Sequence, residues 1–396
     1  MAVPNLGLRA FTVVSVQDLP VLLAVDGNSL VHRSFHSQAG TGLRSADGRP
    51  LWAIRGLLTQ LVAAAERICP AAIVVGFDDP AASHRRARWP QYKAGRTEKL
   101  HTLVSQLIGA AEVLRSMGIA VVVPDGLEAD DVLASAARFA PRVGARTVIM
   151  TSDRDSFALI DEHTRVLRII NGGVDASPLL TPDLLAIMLG IRPEQYCDYA
   201  ALRGDPSDNL PGVRGIGAKT AAKLLATLGS AAAVFDDLAA GGSQVKAAVG
   251  SAAAHRLAQP EARTAWELNC QVMRMHHDLE LGLHGLDISD GPGALPLDPA
   301  AVGAAFRAHE LTWTTPAALQ FLAYQDPPER PAEQAWSSAP PARVTGSGHP
   351  AGTGGWPGAT ARAPADHSRP AGRRFGKLAK HAGQPQNAAV QLSLFD

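Results

Sequence analysis

The feature that most restricts this chain is a set of short apolar runs with no polar alternation. They are Val21–Val25, Ile73–Phe77, Ile119–Val123, Thr147–Met150 and Val166–Ile170. Each is too short for most helices. A strand with one wet face alternates in polarity, and these do not, so they read as strands buried on both faces of a parallel sheet. Amphipathic stretches such as Ala53–Arg67 and Leu103–Met117 lie between them. The alternation predicts an α/β fold, a mostly parallel sheet flanked by helices.

The pattern changes along the chain. Residues 1–20 read as an extension without much structure, and 21–190 as the α/β core. From Thr181 the strand signals fade. Thr181-Pro182 has the form of an N-cap followed by proline at the first helical position. Residues 191–325 read as a mostly helical region whose end returns to the core. Beyond it, 19 of residues 327–396 are Pro or Gly without a repeat, a composition expected of a disordered tail too poor in apolar residues for a core of its own. The three cysteines are Cys69, Cys197 and Cys270. Odd and widely spaced, they exclude a disulfide framework and a cysteine zinc module, and fit a cytoplasmic protein. No apolar run approaches the roughly 18 residues of a membrane span, and no secretory signal is evident. Formal charge balances, with 37 Lys+Arg against 37 Asp+Glu, which leaves room for separate acidic and basic faces.

Acidic residues recur where the apolar runs end. Val21–Val25 leads into Asp26 and Ile73–Phe77 into Asp78. Thr147–Met150 leads to Asp153 and Asp155. Ligands of open α/β sheets sit beyond the carboxyl ends of the strands, so these acids can converge on one crevice. Glu128-Ala129-Asp130-Asp131 follows another run at the start of an expected helix, with Glu128 expected just before the first turn. Asp205 and Asp208 form a further pair. Each alone is most often a helix cap or turn residue. Together they would repel one another strongly unless divalent cations cancelled the charge. Oxygen ligands without His or Cys favour Mg²⁺ or Mn²⁺. So many carboxylates exceed what one Mg²⁺ uses and point to two ions, a site type that performs in-line displacement at phosphorus. The adjacent His276-His277 has the wrong spacing for a ligand pair on one helix face.

Two further stretches point to phosphate. Ser83–Arg96 carries Arg85, Arg86, Arg88, Lys93 and Arg96 with Trp89 and Tyr92 among them. Cations neutralise phosphates, and aromatic rings stack on unpaired bases. Following Asp78, this stretch would overhang the acidic crevice, where Lys93 could stabilise charge on a scissile phosphate. Gly215-Ile216-Gly217-Ala218-Lys219-Thr220 makes a tight turn into a helix. Such a helix start, with Lys219, can hold a backbone phosphate without reading sequence.

The motifs Val25-Asp26-Gly27-Asn28, His32-Arg33, Phe77-Asp78, Tyr92–Arg96, Glu128–Asp131, Asp153-Arg154-Asp155 and Gly204–Leu225 occur in one order over residues 21–320. In this the chain resembles the bacterial 5′–3′ exonuclease and flap endonuclease family. The resemblance implies a PIN-like nuclease core, a helical arch over about residues 83–103, and a helix–two-turn–helix DNA-binding module. It implies Asp26, Asp78, Glu128 and Asp130 around a first Mg²⁺. Asp153, Asp155, Asp205 and Asp208 would serve a second, with Asp131 close by, and Mn²⁺ could substitute. Lys93 and Arg96 would contact the scissile phosphate, Arg33 the strand being cut, and Tyr92 would stack near the 5′ end. Arg85, Arg86, Gly215, Ile216, Gly217, Lys219 and Thr220 are expected on DNA, with K⁺ at the hairpin carbonyls. Asp79 stands where the family has a small residue, which places an extra carboxylate beside Asp78. The tip, with Gln391, Leu392, Leu394 and Phe395, resembles the peptide by which bacterial replication proteins bind the sliding clamp. The expectation is a stand-alone, monomeric, cytoplasmic nuclease without a polymerase. Two other readings share some of these features. A PIN-type ribonuclease has the acidic crevice but usually lacks the Gly-Ile-Gly hairpin. A clamp-tethered DNA-binding protein would not need the full carboxylate set.

Overall fold

Strand β1 (Val21–Asp26) is buried along its whole length, as are β2 (Ala72–Gly76) and β4 (Arg146–Thr151). With β3 (Ala120–Val122) and β5 (Thr164–Arg168) they form a parallel sheet in the order β3-β2-β1-β4-β5. A two-residue strand, β6 (Leu179–Leu180), adds antiparallel to β5. The computed structural model describes residues 16–283, 291–311 and 314–323.

Burial on both faces explains the missing alternation. Leu23, Val25, Ile73, Val75, Val148 and Met150 face one apolar cluster, and Leu22, Ala24, Val74, Ile149 and Val166 face another. The first cluster is closed by α1 (Gly27–Gln38), α2 (Trp52–Ile68) and, beyond the short α3 (His84–Arg88), by α4 (His101–Ser116). The second is closed by α5 (Ala129–Arg142) and by the helical region that follows α6 (Pro182–Leu189). Thr181 caps α6, its hydroxyl accepting from the Leu184 N–H at 3.1 Å, with Pro182 next. That region contains α7 (Tyr196–Arg203), α8 (Ala218–Leu228), α9 (Ala231–Ala239), α10 (Ser243–Val249), α11 (Ser251–Leu257) and α12 (Pro260–Met273). The chain then returns to the core. Gly293 accepts from the Ile73 N–H at 2.9 Å, and α13 (Pro299–Ala308) contributes Val302 and Phe306 to the first cluster.

The strand order has a consequence for function. Successive strands step outward from β1 on one side as β2 and β3, and on the other as β4 and β5. The connections therefore diverge between β1 and β4, which opens a crevice at their carboxyl ends. Residues 16–20, read as an extension, lie beside β4, where the Arg146 N–H donates to the Pro20 carbonyl at 2.9 Å. No helix among the described residues is long and apolar enough to cross a membrane.

Candidate active site

Each acid on the sheet rim has a local structural job, and the fold still brings them to one place. Asp26 ends β1 and caps α1. One of its oxygens accepts from the Ser29 N–H at 2.8 Å, the other from the Thr151 hydroxyl at 2.7 Å. Gly27 follows because a Cβ there would stand 2.5 Å from the Phe77 ring. Asp78 follows β2. It accepts from the Ala129 N–H at 3.1 Å, and Asn28 clips to it twice, through its amide to the carboxylate and from the Asp78 N–H at 3.2 Å. Asp153 follows β4 and accepts from the Asp155 N–H at 3.0 Å. Asp205 caps the short turn that carries Asp208. The cap reading holds for these residues, and capping does not prevent their gathering at one rim.

Glu128 is the residue just before α5, and Asp130 lies in its first turn. Glu128, Asp130, Asp155 and Asp208 line one small cavity of about 10 Å³ together with Tyr92 and Arg85, the scale of one water-sized group. Burial first, and then the Asp153 and Asp78 charges, push the Asp26 carboxyl up to about 7. Burial, Asp153, Asp205 and Asp208 push Asp155 up to about 8. Burial and the charges of Asp153, Asp26 and Asp155 raise Asp130 well above the usual range. One Asp130 oxygen is buried without a hydrogen-bond partner. Crowded hard-oxygen donors with an orphaned carboxylate oxygen fit a hard divalent cation. Among the described residues, no three acidic, His or Cys side chains close into a ready-made coordination shell.

Cations of the overhanging segment hold the acids instead. Lys93 Nζ lies 3.0 Å from Glu128 Oε2, Arg96 Nη2 2.5 Å from Asp208 Oδ1, and Lys99 Nζ 3.9 Å from Asp78 Oδ2. Lys93 takes a left-handed backbone, φ 56°, and its N–H donates to the Asp208 carbonyl at 2.9 Å. Asn209 reaches the Gln91 carbonyl at 2.7 Å. The acidic loop of Asp205 and Asp208 is thus bound to the segment that contains Lys93. The sequence signalled Lys93 and Arg96 but not Lys99, Asn28 or Thr151. Asn28 stands inside a quoted motif, and Thr151 is legible only as a polar residue ending a buried strand.

Several expectations need correction. The arch over 83–103 is helical only at α3 and again from His101; Pro90 and Gly95 interrupt the stretch, and residues 90–95 form turns. Arg85, expected on phosphate, is 8% exposed and grips Asp131 through both terminal nitrogens, at 2.7 and 2.8 Å. Asp131, expected near the second ion, is fully buried in that pair and also accepts from the Glu128 and His276 N–H groups. Its oxygens are occupied, so it has no lone pair left for an ion. Tyr92, expected to stack on a base, is 5% exposed, and its hydroxyl donates to Glu128 at 2.9 Å. Ile216, expected on DNA, is a buried anchor in the second cluster. Asp79 does not join the acids. It accepts from the Gly126 and Ala81 N–H groups at 2.7 and 2.8 Å, so it fixes the loop leading to Glu128, and those bonds hold its carboxyl below the usual range.

The other expected residues remain at the surface or its margin. Arg33 lies on α1 and reaches Asn171 at 2.8 Å. Arg86 and Lys219 are exposed, and Thr220 is half-buried. Gly215 takes φ 74°, with Arg256 so close that a Cβ would meet its Nε at 2.6 Å. Gly217, the residue before α8, has open space around it. The first N–H groups of α8 therefore start at an unobstructed turn beside Lys219. Gln391, Leu392, Leu394 and Phe395 lie outside the described residues.

A parallel sheet with acids at its switch point and a helical hairpin module beside it is an arrangement suited to metal-dependent phosphodiester cleavage. Comparison with known proteins agrees. Residues 21–182 match the family described as 5′–3′ exonuclease, N-terminal resolvase-like domain, and residues 191–290 match 5′–3′ exonuclease, C-terminal SAM fold. The chain belongs to the 5′–3′ exonuclease family. It is 37% identical to DNA polymerase I of Mycobacterium tuberculosis over 239 residues, 60% of this chain and 26% of that protein. It is 41% identical to the thermostable DNA polymerase I of Thermus aquaticus over 217 residues, 55% of this chain and 25% of that one. The chain spans about a quarter of the length of these relatives. Among solved structures it is similar to the T5 5′-exonuclease with divalent zinc ions bound, at TM-score 0.53 and 19% identity, covering 65% of this chain and 90% of that one. It is also similar to the bacteriophage T5 flap endonuclease in a pseudo-enzyme–product complex with DNA and metal ions. There the TM-score is 0.51 with 18% identity, over 76% of this chain and 99% of that one.

Proposed function

We propose that this chain is a Mg²⁺-dependent, structure-specific 5′–3′ exonuclease and 5′-flap endonuclease that cuts DNA near single-strand/duplex junctions, in primer or flap removal and repair. The observation that carries the reading is the gathering of acids from separate elements at the β1/β4 crevice, under an overhang that supplies Lys93 and Arg96. Asp26, Asp78, Glu128 and Asp130 would hold one ion, and Asp153, Asp155, Asp205 and Asp208 the second with its waters. Two such ions, when bound, supply an activated water and neutralise charge on the phosphate.

The protein's own groups do the rest. The N-terminus of α8 with Lys219 would grip duplex backbone, independent of sequence, with K⁺ at the Gly215–Gly217 turn. Substrate phosphates compete for Lys93 and Arg96, and as these side chains turn to phosphate they leave Glu128 and Asp208. Arg33, on the same helix that Asp26 caps, would face the strand being cut. Asn28 and Thr151 keep Asp78 and Asp26 in fixed orientation. The Gln391–Phe395 tip would tether a monomeric enzyme to the sliding clamp, raising its local concentration there without altering the site.

A labelled 5′-flap duplex tests the reading. Cleavage near the junction that requires Mg²⁺ and stops in EDTA is the expected result. Cutting of single-stranded RNA with the flap left intact, or tight DNA binding without cutting in Mg²⁺ or Mn²⁺, would overturn it.

A further inference from the structure

Arg85 and Asp131 form a buried ion pair whose hydrogen-bonding groups are all used. The guanidinium has five N–H donors, and five contacts use them. Nη1 and Nη2 bind Asp131, Nη1 also faces Glu128 Oε2 at 3.4 Å, Nη2 reaches the Arg274 carbonyl at 2.9 Å, and Nε the Val272 carbonyl at 3.1 Å. Asp131 receives four donors, two from Arg85, the Glu128 N–H at 3.0 Å and the His276 N–H at 2.8 Å. Three parts of the chain meet here. Arg85 belongs to α3 at the base of the overhang, Asp131 to the first turn of α5, and the carbonyls to the end of α12 and the segment after it.

The partners of this pair are the informative part. Asp131 bonds the backbone N–H of Glu128, and Arg85 faces the Glu128 carboxylate, so the pair holds that residue at both ends. Asp130 lies between Glu128 and Asp131 in sequence, and its orientation follows from theirs. We propose that Arg85 and Asp131 act together as a positioning pair: they touch neither ion nor substrate, but set Glu128 and Asp130 for the first ion and keep α12 at a fixed place relative to it. This rests on the function proposed above. It assigns to Asp131 a role other than ligand, and to Arg85 a role other than phosphate contact.

Removing one partner alone would leave a buried charge without its counter-ion, which destabilises strongly and obscures the question. Replacing both, as Arg85→Met with Asp131→Leu, exchanges the ion pair for apolar volume without leaving a lone buried charge, although the Val272 and Arg274 carbonyls and the Glu128 and His276 N–H groups lose these partners, so the fold is measured first. Three measurements on the full chain then decide. Urea unfolding reports the fold, titration calorimetry with Mn²⁺ and no DNA reports ion number and affinity, and steady-state cleavage of the flap duplex separates kcat from KM.

The expected result is a folded double variant that binds the same number of ions as the parent. Its Mn²⁺ affinity and kcat each fall by about 10- to 100-fold, the range seen when groups that orient ligands are lost, while KM for DNA changes less. Unchanged affinity and kcat in a folded variant would make the pair purely structural and overturn the proposal. Loss of one bound ion would make Asp131 a ligand and also overturn it. If the double variant does not fold, Arg85→Lys gives the same decision, because it keeps the charge but not the five-donor fork. A parent protein that neither binds Mn²⁺ nor cuts would defeat the nuclease reading itself, a different outcome from a parent that does both while the variant matches it.

Discussion

Crowding of acids at the rim has a cost that pH should expose. Asp26 and Asp155, at about 7 and about 8 in the folded protein, titrate near 3.9 when unfolded. The folded state therefore keeps protons that the unfolded chain has released. For a carboxyl raised in this way, the stability it contributes is full below pH ~4 and is lost as pH rises through the folded value. His32 acts in the opposite sense. Burial, then Lys99, depress its imidazole to about 4, so its contribution is present above pH ~6.5 and is lost on acidification. Between pH 6.5 and 8 the histidine adds only about 0.4 kcal/mol in the opposite sense, and the acids dominate. One retained proton is worth about 1.4 kcal/mol per pH unit, or roughly 2 kcal/mol over that window. Asp155 is partly open to solvent, so screening reduces the expected loss to about 1–2 kcal/mol. Urea unfolding in EDTA at pH 6.5, 7.25 and 8 should show this decline. Asp155→Asn should flatten it. Mg²⁺ should stabilise more at pH 8 than at 6.5, because ion binding displaces protons. A stability that is level or rising with pH in EDTA, or equal stabilisation by Mg²⁺ at both ends, would refute the reasoning.

Asp130→Asn replaces a carboxyl that holds its proton in EDTA with a neutral group of the same shape, so at neutral pH in EDTA stability should change by less than about 1 kcal/mol while flap cutting is nearly abolished; a variant that still cuts would contradict the ligand role. Lys219→Ala should weaken binding to duplexes of every sequence alike and lower the slope of log affinity against log salt by about 1, measured by fluorescence anisotropy; a loss confined to some sequences would speak against backbone gripping. Deletion of Gln391–Asp396 should end retention on an immobilised sliding clamp and leave cutting of free oligonucleotides unchanged, and undiminished retention would exclude the tether.

The sheet was legible because parallel strands buried on both faces have an unmistakable pattern. All five parallel strands overlap the apolar runs, whereas β6 has two residues and too little sequence to declare itself. The acids were legible because each marks the end of a run or the start of a helix. What they bind in the folded chain was not. Arg85 and Asp131 are 46 positions apart, Arg96 and Asp208 are 112 apart, and no local rule pairs them. A basic residue flanked by others reads as solvated until burial is known, so neither the Arg85–Asp131 pair nor the Tyr92–Glu128 bond is visible in the sequence. The breaks in the overhang do have a signal, in Pro90 and Gly95.

The two kinds of charge on this molecule explain one another. Carboxylates close enough to serve divalent ions repel when those ions are away, and most of that repulsion must be absorbed within the protein. Two devices do so here. Asp26, Asp130 and Asp155 hold protons toward neutral pH, and Glu128 and Asp208 take Lys93 and Arg96 as counter-ions. The second device is reversible in a useful way. A DNA phosphate offers the same cations a partner, and each cation that leaves frees a carboxylate for an ion. By thermodynamic reciprocity, DNA should then tighten Mn²⁺ binding by the same factor that Mn²⁺ tightens DNA binding. Lys93→Ala removes one exchange partner. In that variant Mn²⁺ should bind more tightly than in the parent when DNA is absent, and the tightening caused by DNA should shrink. Calorimetry with a flap duplex and with none measures both quantities. A variant whose ion affinity without DNA is unchanged or weaker would mean that the Lys93–Glu128 pair does not compete with the ion.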